Sequence, residues 1–301
     1  MAKKDNYIRF DWAIKRLLCN KADFVVVNGF LSSLLGEPVS IIHVLESEGN
    51  KASKEDKFNR TDILVEDSKK RKIIIEIQNY SEFDFFHRML YGVSKVVTEY
   101  LTSGKKYMEI GKIYSVNIMY SSIGQGKGYS YHGWMDFRNM CDQDDILQLS
   151  DEQLKKFKEN QIDYQNIFNI FPEYFVLKVN KFDDVATTPL AEWMYFLKNS
   201  EIPANFTAPG LDVAREKLRV DNLSPKEHAA YDHHLKTARY EDSSMETGEI
   251  AGEARGKAEV VHKLYTSLGM PIEQIMQATD FSREKIIEIL KNGGVWQEHD
   301  K

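Results

Sequence analysis

Residues 72–79 read Lys-Ile-Ile-Ile-Glu-Ile-Gln-Asn, and no other stretch limits the fold so strongly. Four isoleucines in five positions favour a strand, because their β-branched side chains pack well on a pleated surface. The segment Arg60–Glu66 offers a second strand across a polar turn around Ser68-Lys69-Lys70. A turn centred on residue 69 pairs position i with 138 − i, which sets Asp62 opposite Glu76. Side chains on a strand alternate faces. Ile73, Ile75 and Ile77 therefore share one face with Ile63 and Val65, and this is the expected core face. Asp62, Glu76 and Gln78 share the other.

Two carboxylates facing each other across a hairpin repel unless something sits between them. A divalent cation suits the position, since two carboxylates and waters satisfy Mg²⁺. Such an ion can activate a water and neutralise the charge that develops on an attacked phosphate. The bland alternative is a solvated sheet face bearing two ordinary charges.

The flanking pattern supplies the rest of an α/β unit. Residues 7–18 and Ala22–Leu35 read as helices, the second ending at Gly36 with Pro38 beyond. Residues 40–46 read as a strand and Ser47–Asn59 as a polar loop. From Glu82 to Thr102 the spacing of Phe86, Leu90, Val93, Val97 and Leu101 is helical, with Gly104 as the expected C-cap. Lys112–Tyr120 and Tyr129–Phe137 are further strands, separated by the turn Gly124-Gln125-Gly126-Lys127-Gly128, which lacks the Lys-Ser/Thr ending of a phosphate-binding loop. A long helix between strands implies a parallel crossover and hence a mixed sheet flanked by helices. The expected divisions are a core over 1–150, a helical region over 151–240, a charged linker helix over 241–260 with glycines at 248, 252 and 256, and a small helical module over 261–301. Asp151–Ser200 is expected to form helices with aromatic faces.

Composition excludes several classes. No run approaches the ~18 apolar residues of a membrane span, and the polar opening is not that of a signal peptide. Cys19 and Cys141 are too few for a disulfide framework or a zinc ribbon. A soluble, cytoplasmic protein is expected. Net charge is −6, but residues 1–150 hold 21 basic and 20 acidic side chains, whereas 151–301 hold 19 and 26. The acidity lies in the second half, leaving room in the first for a local basic patch at Lys69-Lys70-Arg71-Lys72.

The segments Arg60-Thr61-Asp62-Ile63-Leu64 and Ile75-Glu76-Ile77-Gln78 resemble the Asp…Glu-x-Lys signature of PD-(D/E)XK nucleases. The order helix, strand, strand, strand, helix, strand is similar to that core, and Gln in place of Lys resembles the Rpn family of recombination-promoting nucleases and putative transposases. Phe10-Asp11-Trp12-Ala13-Ile14-Lys15, His87-Arg88-Met89-Leu90-Tyr91-Gly92 and the Gly-Glu-Ala-Arg-Gly-Lys run at 252–257 add to the likeness. The resemblance implies a metal-dependent DNA endonuclease in recombination, mobile-element or defence contexts. It implies Asp62, Glu76 and the Ile77 carbonyl as ligands of Mg²⁺, with Mn²⁺ or Ca²⁺ as alternatives. Gln78 would orient the water or stabilise the phosphate, more weakly than a lysine because an amide carries no charge.

Asp11 and Lys15 form either an intrahelical pair or an extension to the site. Arg88 contacts phosphate or pairs with Asp84. His233-His234 has no partner at metal-ligand spacing and reads as exposed helix. Residues 272–282 resemble the start of a helix-turn-helix, yet 261–301 hold five basic and six acidic residues, which points to a packing or partner module. The competing function is a catalytically silent chain that keeps the fold to bind DNA, to regulate, or to form a homo-oligomer through its C-terminal helices.

Overall fold

The computed structural model describes residues 7–18, 24–45, 63–101 and 106–296. Two compact units emerge, Met1–Tyr231 and Asp232–Lys301.

The first unit is built on a six-stranded mixed sheet: β1 (Ile41–Leu45), β2 (Ile63–Asp67), β3 (Lys72–Gln78), β4 (Ile113–Met119), β5 (Ser130–Gly133) and β6 (Glu173–Lys178). Their order across the sheet is β1-β2-β3-β4-β6-β5. The β2–β3 hairpin pairs Ile63 with Ile75, Leu64 with Ile74, Val65 with Ile73 and Glu66 with Lys72, the register expected from the turn. Asp67, fully buried, explains why the turn falls there. Its Oδ1 accepts from the backbone N–H groups of Lys69 (3.0 Å) and Arg71 (2.9 Å), while Lys70 takes a φ of 60°. Helix α3 (Phe85–Tyr100) carries the chain from β3 to β4, which run parallel.

Three expectations need correction. Both faces of the hairpin are core, not one: Ile73, Ile75, Ile63 and Val65 are buried on one side, and Leu64 and Ile74 are buried on the other under Val93 and Val96 of α3. Each such side chain contributes on the order of 1.5–3 kcal/mol, so α3 is clamped over the face that bears Glu76 and Gln78.

Second, residues 173–178 form a strand and not part of an aromatic-faced helix. β6 lies between β4 and β5, parallel to the former and antiparallel to the latter. The sheet is therefore not closed by residue 150, and the chain beyond it supplies an interior strand next to the edge. Third, the charged helix expected over 241–260 is part of a longer one, α7, which covers residues 225–266.

Three of the four cations at the hairpin turn pair with carboxylates. Arg71 pairs with Asp67 (Nη2–Oδ2 2.6 Å) and with Glu37; Lys69 pairs with Glu37 (2.5 Å); Lys72 faces Glu66 (3.6 Å) and sits 4.7 Å from the centre of the Tyr100 ring. Lys69, Arg71 and Lys72 thus hold the turn, while Lys70 stays exposed.

Helices α1 (Phe10–Leu18), α2 (Phe24–Leu35) and α5 (Pro189–Asn199) meet around Phe10, Phe30, Trp193 and Phe196, whose rings approach edge-on or tilted at 5.5–6.3 Å. Gly29 of α2 lies where a Cβ would come within 2.0 Å of the Pro209 carbonyl oxygen, so glycine is required for that approach. Two further helices, α4 (Asp151–Glu159) and α6 (Leu211–Lys217), complete the unit.

In the second unit, α8 (Ile272–Thr279) and α9 (Arg283–Asn292) fold with the end of α7 around Val261, Ile272, Ile275, Ile286 and Leu290. Asp280 takes the left-handed conformation at the C-terminal end of α8, and Ser282 caps α9. The two-helix arrangement expected at 272–282 is present, but Arg283 pairs with Glu273 (2.6 Å) and Lys285 with Glu288 (2.9 Å). Among the described residues no helix is long and apolar enough to cross a membrane.

Candidate active site

Along the α3 face of β3 the side chains run Lys72, Ile74, Glu76, Gln78, so the face changes from apolar to polar at its carboxyl end. Glu76 is 4% exposed and Gln78 8%. Burying a carboxylate in a sheet is costly without compensation, and this pair is the most conspicuous departure from an apolar strand. Above Glu76, α3 presents Gly92: the nearest heavy atom to a Cβ built there is Glu76 Oε1, at 3.9 Å. A glycine inside a helix lowers its stability by about 1 kcal/mol relative to alanine. Here it leaves space over the carboxylate.

Gln78 is held by a second carboxylate. Its Nε2 donates to Glu82 Oε1 at 2.7 Å. Arg88 Nη1 donates to the same carboxylate, to Oε1 at 2.9 Å and Oε2 at 3.1 Å. Arg88 is thus paired with Glu82 and not with Asp84, to which its backbone N–H alone is bonded. The pairing crosses from the β3–α3 loop to the first turn of α3, so it could not be read from helical i, i+4 spacing. With its nitrogen committed to Glu82, the amide of Gln78 turns its oxygen away from that residue.

Asp11 serves Arg9. Its carboxylate accepts from Arg9 Nε (3.3 Å) and Nη2 (3.0 Å), and from the Trp12 backbone N–H (2.9 Å). Arg9 continues to Asn79 Oδ1 at 3.2 Å and lies 5.2 Å from the centre of the Tyr120 ring. Burial works against the Arg9 charge, but Asp11 outweighs it and holds the guanidinium above its ordinary pKa. Burial, and then the charge of Asp11, push the Tyr120 phenol well above its usual range. The first helix therefore reaches the residue next to Gln78 through Arg9. The side chain of Lys15, and Asp62 entirely, lie outside the described residues.

A residue absent from the sequence expectations adjoins this group. In the β3–β4 ladder Glu76 is paired with Asn117, which is fully buried on the same face. Its Nδ2 donates to the Ser115 carbonyl (3.1 Å), Ser115 Oγ (3.0 Å) and the Phe175 carbonyl (3.1 Å). Its Oδ1 is buried and accepts no hydrogen bond. An acceptor left in that state costs about 1–3 kcal/mol. The signal was present in the sequence: Ile-Tyr-Ser-Val-Asn-Ile-Met places an asparagine, poor in strands, inside a strand.

A family model described as PD-(D/E)XK nuclease family transposase matches residues 8–248. The chain belongs to that family. The match spans the sheet, α3 and the strand β6 that follows residue 150, in keeping with a sheet completed late in the sequence. No curated protein and no solved structure matches the chain.

PD-(D/E)XK nucleases generally use divalent metals, and the donors around Glu76 suit one. Glu76 and Asn117 offer hard oxygens of the kind that Mg²⁺, Mn²⁺ and Ca²⁺ take, beneath a glycine that leaves room. Among the described residues no group of three His, Cys, Asp or Glu gathers as a metal cluster.

Proposed function

We propose that this PD-(D/E)XK family chain is a divalent-metal-dependent endodeoxyribonuclease. Asp62 and Glu76 hold the cation, most simply Mg²⁺, with the Ile77 carbonyl as a further ligand. Gln78 positions the attacking water, and Arg88 meets the phosphate once DNA competes for it with Glu82. The observation that carries the reading is the buried Glu76–Gln78 pair under Gly92, on a hairpin whose register runs to Ile63↔Ile75. The proposal extends that register by one pair, to Asp62 and Glu76. A bound cation would polarise the phosphate and lower the pKa of a bound water. The chain's own part is to fix the oxygens, turn the Gln78 carbonyl inward, and keep a cationic guanidinium at the mouth. The cellular settings proposed are recombination, mobile elements or defence.

Supercoiled plasmid with Mg²⁺, Mn²⁺ or Ca²⁺ provides the test. Wild type is expected to nick it, and Asp62→Ala and Glu76→Ala to abolish nicking. Equal nicking by all three removes this site. Absence of nicking by all three favours a silent chain that keeps the fold to bind DNA or regulate, a reading to which the uncharged Gln78 lends support.

Assembly through the C-terminal helices is proposed as well. On α7, Gly248, Gly252 and Gly256 have no atom within 4 Å of an added Cβ, leaving that stripe open to a second copy. Light scattering should show a smaller species when the chain is cut at residue 240; an unchanged oligomer counts against it.

A further inference from the structure

We propose that Asn117 is an oxygen donor to the cation site headed by Glu76, either as a ligand or through a bound water. This rests on the metal-dependent reading above and adds a residue from β4 to it.

The argument begins with the amide's hydrogen bonds. Asn117 Nδ2 makes three, to Ser115 O, Ser115 Oγ and Phe175 O. All three acceptors lie toward the start of β4 or on β6. An asparagine amide is planar, with its oxygen and nitrogen directed apart. The bond to Phe175 on β6 holds the nitrogen on that side of β4 and directs Oδ1 away from it; the strand on the other side is β3, where the residue in register is Glu76. The amide cannot rotate to relieve the oxygen without breaking those bonds.

A fully buried acceptor with no donor is rare in folded proteins and calls for an explanation, such as an ion or water that completes it. The neighbours favour a cation. An anionic carboxylate on the next strand repels an additional lone pair, but both oxygens are attracted to one positive ion. Asparagine carbonyl oxygens are ordinary ligands of hard divalent cations. Gly92 places no side chain of its own above Glu76, and a Cβ built there would meet Glu76 Oε1 at 3.9 Å.

The alternative is structural: Asn117 clamps β4 to β6 through its nitrogen, and its oxygen is merely stranded. The two accounts differ for aspartate, which keeps the oxygens and loses the donors. Mn²⁺ binding to the full chain is to be measured by calorimetry on wild type, Glu76→Gln, Asn117→Ala and Asn117→Asp, with circular dichroism to establish folding. Asn117→Ala is expected to weaken Mn²⁺ binding about tenfold or more, in the range usual for residues that support a metal centre. Asn117→Asp should recover most of that loss. If Asn117→Ala fails to fold, Asn117→Ser takes its place, with the same weakening expected.

Binding by Asn117→Ala equal to wild type, while Glu76→Gln binds poorly, overturns this proposal and leaves the metal reading intact. Equal weakening by the alanine and aspartate variants also overturns it, because the amide's donors would then be what matters. Wild type that binds no Mn²⁺ overturns both.

Discussion

Gly92 permits a sharp test, because helix propensity and site space act on it in opposite directions. It lies inside α3 and, with no positive φ, has backbone geometry open to any L-residue. A Cβ there meets only Glu76 Oε1, at 3.9 Å, which is ordinary contact. Gly92→Ala should therefore stabilise the first unit by about 0.5–1 kcal/mol, partly by restricting the unfolded chain. For a unit of this size that corresponds to a rise in Tm of roughly 1–4 °C. Gly92→Leu adds four carbons over the carboxylate and should instead cost about 1–3 kcal/mol through overpacking. Urea denaturation of the apo chain measures both, read as midpoint changes at constant slope. Mn²⁺ titration then shows what the space is for: the leucine variant should lose the cation even at temperatures where it remains folded. A destabilised alanine variant would refute the packing argument, since the geometry offers no clash to explain it. A leucine variant that binds Mn²⁺ like wild type would refute the claim that the glycine serves the site.

Other outcomes follow from single contacts. Gln78→Ala and Glu82→Gln should each slow plasmid nicking, and the double variant should be no slower than Gln78→Ala alone; additive losses would show that Glu82 does not act through Gln78. Burial would raise the Glu37 carboxyl, but hydrogen bonds from Lys69 and Arg71 overcome it and hold the group below its ordinary 4.5. Its contribution to stability is therefore complete above about pH 4.5 and is lost as pH falls through the lower folded value, so Glu37→Gln should flatten that part of a urea-midpoint profile. Lys112 donates to Phe168 O (2.8 Å), Phe171 O (2.7 Å) and Glu173 (2.6 Å), and Lys112→Met should cost several kcal/mol, about 3–5 at most, because the buried Glu173 carboxylate keeps only its contact with His132 Nε2 (2.7 Å) and two carbonyls lose their donor. In the second unit a Cβ on Gly293 would approach His262 Cδ2 to 2.6 Å, so Gly293→Ala should lower its melting temperature and His262→Ala should restore much of the loss.

Where local chemistry decides structure, the sequence could be read. The hairpin turn, its register and the helix after β3 all follow from turn residues, β-branching and helical spacing near one another in the chain. The failures share a different cause. The aromatic-rich composition around Phe168, Phe171, Tyr174 and Phe175 suggests helix, yet Glu173–Lys178 is a strand, because a short apolar run alone does not distinguish the two. Its partners β4 and β5 lie distant in sequence, and pairing with them settles its conformation. The Lys69–Lys72 run suggested an open basic patch because Glu37, Glu66 and Asp67 were not known to face it. Asn117 went unnoticed for the same reason: its meaning depends on Glu76, forty-one residues earlier, standing in the adjacent strand.

The topology also explains why polar residues gather at this end of the sheet. β3, β4 and β6 run parallel, so Gln78, Met119 and Lys178 end together in register. Ligands of open α/β sheets bind outside the carboxyl ends of such strands, where the chain leaves for a helix and side chains need no longer fill a core. Here β3 leaves through Asn79–Asp84, a short segment that brings Glu82 back to Gln78 and delivers Arg88 one turn into α3. Before this exit Ile74 lies under Val93 and Val96; toward it the same face, still buried, turns polar. The boundary between the two regimes falls at Glu76, where Gly92 interrupts the apolar cover and Asn117 interrupts the apolar strand. A glycine in a helix and an asparagine in a strand each carry a stability cost by themselves, and the two fall on one spot beside the same carboxylate.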